Sequence, residues 1–507
     1  RTTRPLPSAS KPISPVGGGP EAAVCGYQVF GCQGSASSRV QQVCDGQPGA
    51  PAGLPPAGAN GWVLVQQVVS SGRQSGHAVW QTPRIDDRRA ASYSFMPATE
   101  APPVVERAEG CTLFFADGRE VIDAGGGAVA ISIGHGRTEV ADAVAHATRR
   151  VSYVIPPWVT EERITLVEML RERWLPPELN RVGLVSGGSE SVDSAIRLAI
   201  SHFVSAGSPE RWKVIGRETS YHGVTLASLS ASGHSSRRAG FEHILMDFPK
   251  MPVADAEGLE KVIESEDPNT IAAVIAEPVI GASAGALLPP DDWWSDVRSI
   301  CDAHGILLIA DEVMTGFGRT GRKFGVDHWD VVPDIMVGGK GLSGGYAPLG
   351  GVYTSEKVVA PIAEAGGGMM FFTYSAHSAA CAAGIASLTI LEEEDLVAAS
   401  ATKGEDFLRR LRPLEEHPHV REVRGLGLMI GIELVSDKAA GEPYGPMDRM
   451  ADQVVAEALR RGVWVYPAGD GNAPDALLIG PPFTITEAEM DVVVAVVGES
   501  ISAVCGD

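Results

Sequence analysis

The sequence predicts an α/β fold, a mostly parallel sheet covered by helices on both faces. Two observations carry that expectation. Short apolar runs of four to six residues recur along the chain, separated by stretches with helical apolar spacing, which is the pattern of strands buried on both faces. The residues that directly follow several of these runs are polar and chemically specific, and ligands in open α/β sheets bind outside the carboxyl ends of the strands.

The chain opens differently. Residues 1–60 hold ten Gly and nine Pro, and residues 1–90 carry eight Lys or Arg against four Asp or Glu. Such a segment cannot bury enough apolar surface to order itself, so 1–90 is expected to be a disordered or poorly packed extension without a catalytic part. It begins with Arg1 and the first methionine is Met96, so it reads as a processed leader, a cloning remnant or translated upstream sequence. It lacks the apolar core of a signal peptide, and its Gly and Pro do not suit a mitochondrial-type transit peptide.

From about Val104 the character changes. Gly110–Asp123 reads as two short strands joined by the turn Asp117-Gly118. The runs Val182–Val185, Trp212–Ile215, Ile271–Ala276 and Ile306–Ala310 follow as strands, with helical patterns between them. A length of 507 residues and 44% hydrophobic composition suit two or three globular domains. No apolar run approaches the length a bilayer requires. The net charge of −22 disfavours nucleic acid and anionic membranes as partners, which leaves small molecules. Seven scattered cysteines, without a C-x-x-C pair or metal spacing, read as free thiols in a cytoplasmic protein that binds no metal.

Three sites carry chemistry. Lys340 lies between glycines just past the apolar run Ile335-Met336-Val337, and is either a pocket amine or an ordinary loop lysine. After Val182–Val185 comes Ser186-Gly187-Gly188-Ser189-Glu190, leading into a helical pattern. This is either a phosphate cradle of free N–H groups and the Ser189 hydroxyl at a helix N-terminus, or a plain serine cap. Asp311 ends the run Ile306–Ala310, where a buried carboxylate requires a cationic partner or else caps a turn. A protonated pyridine nitrogen would be such a partner, so cradle, carboxylate and lysine together point to pyridoxal 5'-phosphate (PLP).

Over residues 95–500 the chain resembles the class III, omega-amino acid:pyruvate-like aminotransferases of PLP fold type I. The resemblance is carried by Gly188-Ser189-Glu190, Tyr221-His222-Gly223, Ala276-Glu277-Pro278, Ile309–Gly321, Pro333-Asp334-Ile335, Gly339-Lys340-Gly341, Tyr346–Gly350, Thr373–His377 and Val423–Leu428. It implies a mostly parallel seven-stranded sheet in a large PLP-binding domain of residues 151–385. A smaller α+β domain would be assembled from 91–150 and 386–507. It also implies that Lys340 holds PLP as a Schiff base, that Asp311 pairs with the pyridinium nitrogen, and that Tyr221 and Val313 cover the two ring faces. Gly188 and Ser189 would hold the phosphate, with His222 and Glu277 in the same cofactor site, and Thr373 would reach the phosphate of a neighbouring subunit. A homodimer, or a tetramer built from it, is then the working unit. The implied activity is ping-pong transfer of an amino group from an amine or an omega- or beta-amino acid to a keto acid such as pyruvate.

Substrate recognition is less determined. Where ornithine-type enzymes carry a second Glu after the Glu-Pro pair, this chain has Gly281-Ala282, and residues 463–480 contain no Arg. Arg424 is the candidate for clamping a carboxylate, against an ion pair with Glu422. Tyr153 and Trp158 either wall the substrate pocket or pack. An aminomutase or a decarboxylase could use the same cofactor site. Gly281–Gly285 also matches the serine hydrolase pattern around Ser283, but Pro289-Pro290 argues against the helix that this motif needs.

Overall fold

A computed structural model describes residues 103–506 apart from 369, 370, 446 and 472, all of them in the unit Ile85–Asp507. The expectation for residues 1–90 lies outside the described residues. The chain enters through β1 (Val105–Glu109), β2 (Thr112–Phe115) and β3 (Glu120–Asp123). It then forms β4 (Arg181–Val185), β5 (Lys213–Arg217), β6 (Lys250–Met251), β7 (Ile271–Ala276), β8 (Leu307–Asp311), β9 (Ile335–Gly338) and β10 (Gly350–Thr354). Five strands close it: β11 (Val420–Leu426), β12 (Met429–Leu434), β13 (Val463–Trp464), β14 (Tyr466–Ala468) and β15 (Ala476–Ile479).

The expected mostly parallel sheet is present, with seven strands in the order β4-β10-β9-β8-β7-β5-β6. Strands β5 to β9 pair in parallel, and β10 alone runs against its neighbours β4 and β9. Both faces are buried, which explains why these strands are continuously apolar rather than alternating. Leu307 and Ile309 pack on one side with Ile275, Val337 and the helix Gly188–Ser205, through its Val192, Ala195, Ile196 and Ala199. Leu308 and Ala310 pack on the other with Val274, Ala276, Met336, Trp293 and Trp294. The same period of two turns Asp311, next in line after Ile309, towards the N-terminal end of Gly188–Ser205.

The first sheet has the order β1-β2-β3-β13, so a strand from near residue 463 completes a hairpin from near residue 110. The third has the order β11-β12-β15-β14 and is antiparallel. Among the described residues no helix is long and apolar enough to cross a membrane.

Ile309 is fully buried at the middle of β8, the strand that delivers Asp311. Ile309→Ala is expected to cost about 2–5 kcal/mol in chemical denaturation, from lost transfer energy and an incompletely collapsed cavity. A loss below about 1 kcal/mol would contradict the packing described here.

Candidate active site

The carboxyl edge of the sheet encloses a cavity of about 200 Å³ whose walls include Gly188, Ser189, Tyr221, His222, Glu277, Asp311, Val313 and Lys340. These residues are scattered over more than 150 positions of sequence, and the strand ends of β4, β5, β7, β8 and β9 are what gather them. Each sits there for a local reason. Gly188 begins the 18-residue helix Gly188–Ser205, so its N–H group and those beside it face the cavity at the positive end of the helix dipole. A Cβ at Gly188 would stand 2.8 Å from Val313 Cγ1, so only glycine leaves the space open. Gly223 has φ +132°, and a side chain there would strike the hydroxyls of Ser189 and Ser228 at 2.5 and 2.6 Å. The Ser189 hydroxyl accepts a hydrogen bond from the Val224 N–H at 3.2 Å, which leaves its proton for a ligand.

Asp311 is 4% exposed. Its Oδ2 lies 2.7 Å from His222 Nδ1, and its Oδ1 accepts from the Val313 N–H at 3.1 Å. His222 Nε2 is buried with no hydrogen-bond partner among the described residues. Glu277 is buried beside them. Its carboxylate accepts from the backbone N–H groups of Tyr221 at 3.2 Å and Gly281 at 3.4 Å, while Arg217 donates to its carbonyl. Burial raises the Glu277 pKa, opposed by His222 and Arg217.

Lys340 follows β9 with φ +40°, a left-handed conformation that a lysine adopts at a cost of order 1–3 kcal/mol and that recurs at functional sites. Burial lowers its amine from 10.5 to about 8, against the pull of Asp311 and Glu277, with Arg319 and Arg237 adding to the fall. The amine is thus part neutral near physiological pH, as a base or nucleophile requires.

The class III aminotransferase family model matches residues 95–501. This chain belongs to the class III aminotransferases. It is 34% identical to the uncharacterized aminotransferase YodT of Bacillus subtilis, over 82% of this chain and 98% of that one. A putrescine–pyruvate aminotransferase of Pseudomonas aeruginosa is 31% identical over 76% of this chain and 88% of its own. Among solved structures, an (S)-enantioselective omega-transaminase from Thermomicrobium roseum superposes with a TM-score of 0.78 at 36% identity, covering 82% of this chain and 98% of that one. The seven-stranded α/β sheet is that of PLP fold type I. The enzyme is a transaminase, and PLP is the cofactor of its family. An amine transaminase from an uncultivated Pseudomonas species, similar at TM-score 0.76 and 33% identity over 81% of this chain and 98% of its own, is in the PLP-bound form.

The cavity of this aminotransferase fits that cofactor on its own chemistry. It offers N–H groups and a serine hydroxyl for a phosphate at one end, and a buried carboxylate for a ring cation at the other. Between them lie an aromatic, a valine and an amine.

Four of the expected site residues lie elsewhere. Thr373 is exposed and not part of this cavity, and its carbonyl accepts from the Tyr153 hydroxyl at 3.1 Å. Tyr153 and Trp158 are 44% and 67% exposed and do not line the Lys340 cavity within this chain. Arg424 corrects the reading of it as a carboxylate clamp. Its Nη1 pairs with Glu422 at 2.8 Å and Glu433 at 2.5 Å, and its Nη2 donates to the Ala284 carbonyl at 2.6 Å. A substrate would have to displace a buried ion pair to use it.

Ser283 does not form a hydrolase elbow either. Its turn, Gly281–Gly285, joins the paired residues Ile280 and Leu287, and the next helix starts only at Trp293. The strand–turn–helix that this chemistry needs is therefore missing there.

Residues that sequence reasoning passed over also stand here. Val279, Met314 and Thr315 complete the cavity, and Arg237 stacks on Tyr221. Nothing in the run Ser235-Ser236-Arg237-Arg238 signals that placement.

In cofactor-free protein, pH-dependent acylation of Lys340 followed by peptide mass spectrometry is expected to show a midpoint near 8, well below that of exposed lysines. A midpoint near 10.5 would contradict the desolvated amine.

Proposed function

We propose that the protein moves an amino group from an amine or an omega- or beta-amino acid to a keto acid such as pyruvate, in two half-reactions of a ping-pong cycle. The observation that carries this reading is Lys340, an amine tuned to about 8 and enclosed with Asp311 and Glu277 at the end of β9. The likeness to a putrescine–pyruvate aminotransferase and to an omega-transaminase supports the choice of substrates.

PLP, when bound, supplies an electron sink and a carrier for the amino group. Asp311 would pair with the ring nitrogen, and its carboxyl group is held in place by His222 and the Val313 N–H. Gly188 and Ser189 would bind the phosphate, and Tyr221 and Val313 would confine the ring. Lys340 Nζ would bind the cofactor carbon covalently. As a free amine Lys340 Nζ would also take up and give back the proton of the donor carbon that bears nitrogen. Glu277 would support the ring side through Tyr221 and the loop at Gly281.

We further propose a homodimer as the working unit, in a cytoplasmic protein. Thr373 would complete the phosphate site of a second copy, with Tyr153, Trp158, Phe371 and Tyr374 as exposed aromatics suited to burial against it. Among the described residues, Cys111, Cys301 and Cys381 are free and buried, with thiols pushed up to about 12, which suits a reducing compartment. We also propose the division into a PLP-binding part, 151–385, and a second part from 91–150 and 386–507. The shared sheet of β3 and β13 supports it.

The test is a donor panel of diamines, plain amines and beta- and omega-amino acids with pyruvate and 2-oxoglutarate as acceptors. One amino-acid product per donor consumed is expected with at least one acceptor, along with parallel double-reciprocal plots. Carbon dioxide release, or isomerisation without an acceptor, would replace this reading with a decarboxylase or an aminomutase.

A further inference from the structure

Keto acid acceptors carry a carboxylate beside the reacting carbonyl, and the planar fork of an arginine matches it in geometry and charge. Three buried arginines near the site have no fork to offer. Arg424 is spent on Glu422, Glu433 and Ala284. Arg319 is spent on the carbonyls of Ile131, Leu428 and Pro481. Arg217 is 1% exposed and held between the Glu277 carbonyl and the ring of Trp293.

Arg237 is different. It is half-buried, its guanidinium carbon sits 4.1 Å from the centroid of the Tyr221 ring, and its Nη2 donates to the Tyr466 hydroxyl at 3.2 Å. Both contacts are with neutral groups, and among the described residues no carboxylate forms an ion pair with it. A half-buried cation without a counter-ion costs desolvation energy that a cation–π contact offsets only in part.

The place is right for a substrate as well. Arg237 lines a cavity of about 460 Å³ with Tyr466 and Ala282, and its guanidinium lies over Tyr221, which is itself a wall of the Lys340 cavity. Two carboxylates line the same space, but both are engaged. Asp452 pairs with Arg449 at 2.9 Å, and Asp475 accepts from the Ala451 N–H at 3.1 Å. The Tyr466 hydroxyl accepts from Arg237, so its own proton is left to donate in the same direction.

We propose that Arg237, with the Tyr466 hydroxyl, is the carboxylate-binding pair of this enzyme, receiving the carboxylate of a keto acid acceptor beside Tyr221 while the carbonyl carbon faces Lys340. The assignment rests on the transaminase reading above and supplies the arginine that residues 463–480 lack. It makes Arg237 a specificity residue. Acceptors and donors with a carboxylate gain from it, and plain amines and aldehydes do not.

The test uses the holoenzyme and two readouts. Propionate, a carboxylate that cannot react, is titrated while the visible absorption of the bound cofactor is followed. In Arg237→Gln its affinity is expected to fall about 10- to 100-fold, the size of a lost charge-assisted pair, and in Arg237→Lys by less. The ratio of kcat/KM for pyruvate over propanal is expected to fall with it. Tyr466→Phe, which removes only the hydroxyl, should move that ratio the same way by a few fold. Retained cofactor absorption shows that each variant is folded.

Undetectable propionate binding by the unaltered enzyme, equal propionate affinity in Arg237→Gln, or equal losses with pyruvate and propanal would each overturn the proposal. An unaltered enzyme that transfers to no acceptor would sink the broader transaminase reading alone, because the propionate titration reports on Arg237 without any turnover.

Discussion

Asp311 is a carboxylate at the end of a strand whose other residues are all buried hydrocarbon, and the site is organised around making that tolerable. An isolated charge there would cost several kcal/mol. His222 at 2.7 Å and the Val313 N–H at 3.1 Å meet part of that cost. A ring cation of the cofactor would meet much of the rest, so the same burial that penalises the apo site favours PLP. Fold and chemistry meet at this point, since the apolar β8 that stabilises the sheet would also make its last residue a selective partner for a pyridinium.

Lys340 is governed by the same low-polarity environment with the opposite sign. Desolvation penalises its ammonium form and outweighs the attraction of two nearby acids, which brings the amine to about 8. A more exposed Lys340 would stay protonated and idle. A Lys340 paired directly with Asp311 would lose the competition in another way, since a salt bridge would hold both charges. His222 stands in that place at Asp311 Oδ2, which leaves the acid and the amine to act on the proposed cofactor rather than on each other.

Much of this could be read in the sequence because it is local. Runs such as Ile271–Ala276 and Ile306–Ala310 need no distant information to be recognised as doubly buried strands, and the residue after such a strand is at the ligand edge by construction. Gly188, Ser189, Asp311 and Lys340 were legible for that reason, with Tyr221, His222, Glu277 and Val313 joined to them by the family resemblance. The antiparallel placement of β10 between β4 and β9 was not legible, because a short apolar run carries no sign of its direction. Arg424 misled because its partner Glu433 comes from the neighbouring strand, a pairing that only the register of β11 on β12 creates. Arg237 and Tyr466 stayed hidden for the same kind of reason. They are 229 positions apart and meet only where β14 comes beside the short helix Ser235–Arg238.

We propose that Lys340 is the residue that carries the cofactor. Reducing the holoenzyme with borohydride and mapping the pyridoxyl group by peptide mass spectrometry tests it most directly. One modified residue is expected, Lys340, in the peptide that spans Gly339-Lys340-Gly341. A pyridoxyl group on any other lysine, or none at all on a protein that holds PLP, would contradict it.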